Sequence, residues 1–302
     1  MIALITGILG FVGRYLAAEL SACGYAVYGL DLAEGVNTAC VDLLDGGAVR
    51  DHIHALRPDV IYHLAAQASV PLSWEQPGRT YELNVVGAIN IMEAVIAEKR
   101  PCRIVIVGSA DQYGASASGD RISERAELRP QNPYAASKKA QEEIACVYAN
   151  AYALDVSLTR SFNHSGPGQR PGYLIPDLCQ GIVKVERGEA DCLYVGNMEA
   201  VRDFSDVRDV VVAYRLIGEK GVGGEIYNVG SGVGRKAQDI LDMLLGMAAC
   251  EVPVRQDPAR MRPSDTPVFI CDNTKLIVRT KWTQAFPFEQ TLRDTLDYYR
   301  SL

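Results

Sequence analysis

The apolar run Ile2 to Thr6 gives way to Gly7-Ile8-Leu9-Gly10-Phe11-Val12-Gly13 and then to a helical pattern that stops at Gly24. A buried strand, a glycine-spaced turn and a helix in that order restrict the chain more than any other feature. Gly7 permits a tight turn, Gly10 lets the backbone approach a diphosphate, and Gly13 lets the helix lie close to the strand. The helix start, around Phe11 and Val12, offers free N–H groups and a positive dipole end to an anion. Glycine spacing alone is a weak signal; here it stands in the required strand–turn–helix context.

The next strand, Tyr25 to Leu30, is closed by Asp31. A carboxylate there can accept hydrogen bonds from an adenosine ribose and would repel a 2′-phosphate. Leu32 follows it, not an arginine. The expected cofactor is therefore a nicotinamide dinucleotide, NAD(H) favoured, with NADP(H) the alternative.

Further strands are read at Asp59–His63, Arg103–Gly108 and Val156–Ser161, with long helices over Trp74–Lys99 and Asn132–Ala153. Repeated βα units imply a parallel sheet covered on both faces. The expected fold is α/β: a Rossmann-type doubly wound parallel sheet with a smaller mixed α/β substrate lobe. Ligands of such sheets bind at the carboxyl ends of the strands. That places the loops after Thr6, Asp31, His63, Gly108 and Ser161 on one rim. From 162 onward, Gly166-Pro167-Gly168, Gly223-Gly224 and Arg262-Pro263 interrupt the pattern. Residues 1–161 are expected to bind the dinucleotide, with 203–230 returning to that domain, and 162–302 to form mainly the substrate lobe.

A chain of 302 residues that is 48% hydrophobic can bury a sizeable core, which excludes extended disorder. A net charge of −7 weighs against nucleic-acid binding but leaves room for a few arginines in one pocket. The eight cysteines are scattered and form no CxxC pair, as suits reduced thiols in a cytoplasmic protein. No His, Cys and carboxylate cluster has metal-ligand spacing, so no metal is expected. Met1 runs straight into the first strand and no apolar run approaches the ~20 residues that span a bilayer, so neither a leader nor a membrane segment is expected.

Tyr134 and Lys138 lie four residues apart on the second long helix and so share a face. Of eight lysines, only Lys138 has a tyrosine at that spacing. A neighbouring ammonium is expected to lower the phenol's pKa, letting Tyr134 act as a proton donor to a carbonyl oxygen. Ser109 follows the strand Arg103–Gly108 on the same rim and can hydrogen-bond that oxygen.

With these features the chain resembles the extended short-chain dehydrogenase/reductase family over essentially its whole length. The motifs are TGILGFVG, HLAA from His63, Asn84 in NVVG, and YAASK. The resemblance implies that Asp42 and Leu43 border the adenine and that Leu64, Ala65, Ala66 and Gln67 line the cofactor. SFNHSGPGQRPGYLIPDL, VGNMEAVRDFSDVRD, EIYNVGSG and QDPARMRPSD are similar to the GDP-sugar branch of that family. This implies that Asn163, Arg202 and Arg262 meet the nucleotide's phosphates or ribose, as arginine forks suit phosphate oxygens. Ser109, Ala110 and Tyr134 would meet the sugar. It also implies a homodimer built on a four-helix bundle.

The branch holds GDP-mannose 4,6-dehydratases and reductases of their 4-keto product; the reductases look closer. In the dehydratases a glutamate stands two positions after the catalytic Ser or Thr. Here that place is taken by Asp111, one methylene shorter, which favours simple ketone reduction. The expected reaction is reduction of GDP-4-keto-6-deoxy-D-mannose to GDP-D-rhamnose, or on the opposite face to GDP-6-deoxy-D-talose. Dehydration and sugar epimerisation are the competing enzyme readings. A non-enzymatic nucleotide sensor is disfavoured by the intact Ser109, Tyr134 and Lys138.

Overall fold

The computed structural model describes residues 1–114, 121–258 and 268–302. The first half runs β1 (Ile2–Thr6), α1 (Phe11–Ala22), β2 (Ala26–Asp31), β3 (Thr38–Cys40), α2 (Gly46–Leu56) and β4 (Val60–His63). It continues with α3 (Val70–Glu75), α4 (Pro77–Tyr81), a π-helical turn (Glu82–Val86), α5 (Gly87–Glu98), β5 (Arg103–Ser109), a 3-10 turn (Ala110–Tyr113) and β6 (Arg121–Ile122). Then come α6 (Pro133–Tyr152), β7 (Val156–Ser161), β8 (Asn163–Ser165), α7 (Leu174–Glu186), β9 (Leu193–Val195), β10 (Val201–Asp206) and α8 (Val207–Lys220). The chain closes with β11 (Ile226–Val229), β12 (Gly234–Lys236), α9 (Ala237–Leu245), β13 (Val254–Gln256), β14 (Val268–Cys271), α10 (Thr274–Thr280) and α11 (Phe288–Ser301).

Seven strands pair in the order β11-β7-β5-β4-β1-β2-β3, every pair parallel. Successive residues of a strand face opposite sides, so each strand feeds two cores. Ala3, Ile5, Tyr62 and Val105 pack under α1 and α8 with Leu16, Leu20, Tyr214 and Ile217. Leu4, Ile61, Ile104 and Ile106 pack on the other side with Val49 and Ile53 of α2 and Ile91 and Val95 of α5. Strand order reverses direction about β1, with β2 on one side and β4 on the other, which opens the crevice where such sheets bind ligands.

A second sheet runs β12-β10-β14-β6, with β8 paired to β10. Helices α7, α9 and α11 cover a separate core around Leu178, Ile182, Ile240, Leu244, Leu292 and Leu296. β6 reaches this sheet from the chain between β5 and α6, a crossing that the sequence pattern did not suggest. Among the described residues, no helix is long and apolar enough to cross a membrane. The cysteines are all free.

The single helix expected over 74–99 is broken. Pro77 has no N–H to donate and its ring collides with the preceding turn, so α3 ends and Pro77 restarts the chain as the first residue of α4. The π-helical turn then widens the helix before Gly87 begins α5. By contrast, Asn132 caps α6 through a bond from the Ala135 N–H (2.8 Å), close to the expected start.

One buried ion pair fixes α6 on the sheet. Arg160 of β7 donates through Nε (2.8 Å) and NH2 (2.6 Å) to the two carboxylate oxygens of Glu142, with side chains only 5% and 8% exposed. Arg160 also donates to the Tyr113 hydroxyl (2.9 Å) and the Glu124 carbonyl (3.0 Å). Removing one partner leaves the other charge buried without compensation. Glu142→Ala should therefore cost about 3–5 kcal/mol in urea unfolding. A loss below about 1 kcal/mol would mean that water reaches the pair.

Candidate active site

The glycine loop has the geometry the spacing requires. Gly7 sits at φ 73°, and the Gly10 N–H donates to the Gly7 carbonyl (3.1 Å). A Cβ on Gly13 would lie 2.2 Å from the Gly7 oxygen and 2.7 Å from the Ile8 Cα, so only glycine lets α1 start this close to β1. The first intrahelical bond runs from the Arg14 N–H to the Gly10 carbonyl. The Phe11, Val12 and Gly13 N–H groups thus precede any helical acceptor. Among the described residues no side chain caps this end, and no acid lies in its first turn. The loop is a cradle for an anion, and it fits the diphosphate of a dinucleotide. The Phe11 ring lies flat against His164 (centroids 6.4 Å apart, planes at 8°).

Asp31 has a second task that the sequence did not reveal. Its carboxylate accepts from the Leu9 N–H and from the Leu32 N–H, both at 2.8 Å, so it braces the glycine loop. A carboxylate offers about four lone-pair sites, which leaves capacity for a ribose hydroxyl. Asp42 is exposed and follows β3; the Leu43 side chain turns inward and is 8% exposed. Leu64, Ala65 and Ala66 are half-buried on the rim beside the loop, where the Ala65 N–H donates to the Thr6 hydroxyl (3.2 Å). The Gln67 side chain is engaged with Ser69 and Thr80, while its backbone N–H donates to the Asn84 side-chain oxygen (2.8 Å) and its carbonyl accepts from the Asn84 amide (3.1 Å).

Ser109 ends β5 and accepts from the Asp111 N–H (3.2 Å), which leaves its own proton to donate; its hydroxyl lies near enough to the Tyr134 phenol to oppose the rise in that group's pKa. Lys138, 3% exposed, donates to the Val107 carbonyl and to the Gln141 side-chain oxygen, both at 2.9 Å. Ser109, Tyr134 and Lys138 therefore all lie about the end of β5.

Their electrostatics differ from expectation. The Tyr134 phenol is raised above its ordinary pKa, first by burial and then by the charge of Asp111, with the Ser109 bond opposing. The Lys138 ammonium is occupied by Val107 and Gln141, and burial brings its own pKa down to about 7. The expected lowering of Tyr134 by its neighbouring lysine is thus corrected: desolvation raises the phenol, and the opposing contribution comes from Ser109. His63 is held neutral, down to about 3, by burial and then by the Lys138 charge.

Asp111 and Arg202 lie close enough for each charge to bear on the other. Burial raises the Asp111 carboxyl and lowers Arg202, and each charge opposes the other's shift. Asp203 and Asp206, flanking acids that might have neutralised Arg202, are committed elsewhere. Asp203 accepts from Ser231, Gly232 and Cys271, and Asp206 from Arg208 and Thr291. Asn163 is exposed on β8, which pairs with β10, so it shares a small parallel ladder with the strand carrying Arg202. Ala110 is buried beside Tyr113 and Phe162. Arg262 lies outside the described residues. Tyr173, at the start of α7, was not singled out from the sequence, yet it is close enough to bear on the Tyr134 phenol.

A doubly wound parallel sheet with a tyrosine and a lysine one helical turn apart above the end of β5 is the architecture of the extended short-chain dehydrogenase/reductases. Within them, the GDP-mannose 4,6 dehydratase family matches residues 4–295, and the chain belongs to it. GDP-6-deoxy-D-mannose reductase of Pseudomonas aeruginosa is 33% identical over 299 residues, covering 98% of this chain and 96% of that protein. The structure of RMD from Pseudomonas aeruginosa complexed with NADPH matches with a TM-score of 0.90 and 31% identity, over 99% of each chain. UDP-glucose 4-epimerase of Thermus thermophilus, in complex with NAD, matches with a TM-score of 0.88 and 31% identity, also over 99% of each.

The cradle can be tested by size alone. Gly13→Ala should weaken NADH binding more than tenfold in a fluorescence titration, since the colliding atoms are backbone. Gly78→Ala, where a Cβ meets nothing within 4 Å, should leave binding unchanged. Equal affinities for the two variants would show that the loop does not hold the cofactor.

Proposed function

We propose that the protein reduces the C4 ketone of GDP-4-keto-6-deoxy-D-mannose to GDP-D-rhamnose. The observation that carries the reading is that Ser109, the Tyr134 phenol and the buried Lys138 ammonium gather at the end of β5. The similarity to the Pseudomonas reductase over nearly the whole chain supplies the substrate. A nicotinamide seated at the glycine loop would supply the hydride. Ser109 would donate a hydrogen bond to the ketone oxygen and Tyr134 would give it a proton. Lys138 would hold the nicotinamide ribose and favour the tyrosinate left behind. Arg202 and Asn163 would receive the diphosphate, with Arg262 joining them. Residues 1–161 with 203–230 would form the cofactor domain, apart from β6 and β10, which pair in the second sheet, and the rest of 162–302 the substrate lobe.

Asp31 supports NADH as the reductant, because a 2′-phosphate would meet its carboxylate; the NADPH bound by Pseudomonas RMD supports the alternative. One observation favours dehydration as a second reading. Asp111 is a half-buried carboxyl near Tyr134 whose pKa is raised by loss of water, which is the condition for acid–base work. The charge of Arg202 bearing on it and its short reach favour reduction.

The deciding assay gives the protein the 4-keto sugar with NADH, and in parallel with NADPH, and follows loss of reduced nicotinamide absorbance. Oxidation of the nicotinamide with GDP-D-rhamnose as product is expected, fastest with NADH. Tyr134→Phe should lower the rate about 10²- to 10⁴-fold with cofactor affinity retained. Formation of a 4-keto sugar from GDP-mannose and NAD without added reductant would instead establish the dehydratase.

A homodimer would bury the exposed Trp74, Tyr81, Val86, Val147 and Tyr152 along α3, α4, the π-helical turn and α6. Sedimentation should show a dimer, and Val147→Asp should shift it toward monomer. A monomeric wild-type chain would overturn the four-helix interface.

A further inference from the structure

The π-helical turn and the catalytic helix are joined by one side chain. Gln141, 1% exposed on α6, accepts from the Lys138 ammonium through Oε1 (2.9 Å) and donates through Nε2 to the Asn84 carbonyl (2.8 Å). Asn84, fully buried in the π-helical turn, holds the backbone of Gln67 on the rim through both its side-chain atoms. It also donates to the Ser137 hydroxyl (2.9 Å), which donates to the Tyr134 carbonyl (2.7 Å). A continuous set of hydrogen bonds thus runs from the rim loop at Gln67 to the ammonium of Lys138.

From this set we infer that Gln141 is a positioning residue for Lys138, fixing where its ammonium points and how tightly it keeps its proton. An ammonium has three donors. Val107 and Gln141 take two, which leaves one for a cofactor hydroxyl. Both acceptors are neutral, so the ammonium is stabilised by dipoles alone. A glutamine serves both ends of the bridge because it accepts on one atom and donates on the other. A glutamate would face the Asn84 carbonyl with a second acceptor, and an aliphatic residue would leave Lys138 and the carbonyl unmatched.

The other titratable groups around Lys138 do not replace this control. His63 on β4 is neutral. Asp111, on the turn after β5, lies near Arg202 and bears on Tyr134. Glu142 on α6 and Arg160 on β7 satisfy one another, and Arg103 at the far end of β5 is paired with Asp155. On the helices packed beside α6, Glu82 is paired with Arg79 and Glu93 accepts from Tyr148. The lowering of Lys138 to about 7 is the consequence expected for an ammonium so buried.

The inference rests on the reductase reading only for the role of Lys138, and its test needs no sugar. NADH affinity is measured by fluorescence from roughly pH 6 to 9 for the wild-type protein, Gln141→Glu and Gln141→Leu, with thermal melting as the check on folding. Wild-type affinity should fall as pH rises through about 7, because the neutral amine no longer donates as an ammonium does. Gln141→Glu should move that fall upward by about one pH unit or more, since a carboxylate favours the charged form. Gln141→Leu should move it downward and weaken binding at neutral pH about tenfold. If Leu at 141 fails to fold, the nearly isosteric Glu variant decides alone. A fall that stays within about 0.3 unit in every folded variant, or an affinity flat across the range, would make Gln141 a packing residue and overturn the inference. Normal NADH titrations with no turnover of the 4-keto sugar would instead count against the reductase reading and leave this one standing.

Discussion

The site depends on how closely α1 approaches β1. With glycine at 13, the helix begins almost in contact with the Gly7 carbonyl, and its N–H groups open into the crevice where the strand order reverses. The turn between them carries its own brace, the Asp31 carboxylate accepting from Leu9. One charge therefore fixes the loop on which the cofactor's diphosphate would rest and stands where its ribose would lie. Replacing this residue would remove an acceptor from the loop whatever it did to the ribose end.

The end of β5 is the second fixed point. Val107 and Ser109 face the same helix, where Lys138 takes the Val107 carbonyl as a partner and the Tyr134 phenol, one turn away, lies within the influence of Ser109. The helix is held at that distance by the buried Glu142–Arg160 pair, one turn beyond Lys138. Packing and chemistry are thus continuous: the strand that anchors α6 by an ion pair runs beside the strand that positions its reactive face.

Burial gives this arrangement its electrical character. Without a ligand, Tyr134 holds its proton more tightly than a free tyrosine, and Lys138 holds its own less tightly than a free lysine. Both shifts come from loss of water, which penalises the charged form of each group. A phenol that keeps its proton until an oxyanion develops is suited to donate, and an ammonium close to neutrality responds to any acceptor or charge brought near it. Asp111 and Arg202 add a pair of opposite charges nearby, where each moderates the other's shift.

Local patterning fixed much of this protein. The glycine spacing, the alternating strands and helices and the four-residue step from Tyr134 to Lys138 read directly from the chain, because each is set by backbone geometry within a few residues. The break at Pro77 was also written in the sequence, and the hydrophobic pattern merely ran across it. What the sequence could not state were encounters between distant residues. Asp31 bracing Leu9, the charge of Arg202 bearing on Asp111, and Gln141 bridging Lys138 to Asn84 all depend on which elements lie side by side. The direction of the Tyr134 shift belongs with them: spacing places an ammonium one turn away, but only the packed structure decides where that ammonium points and how much water remains. Desolvation is a property of the whole fold, and it settled the electrostatics that local spacing left open.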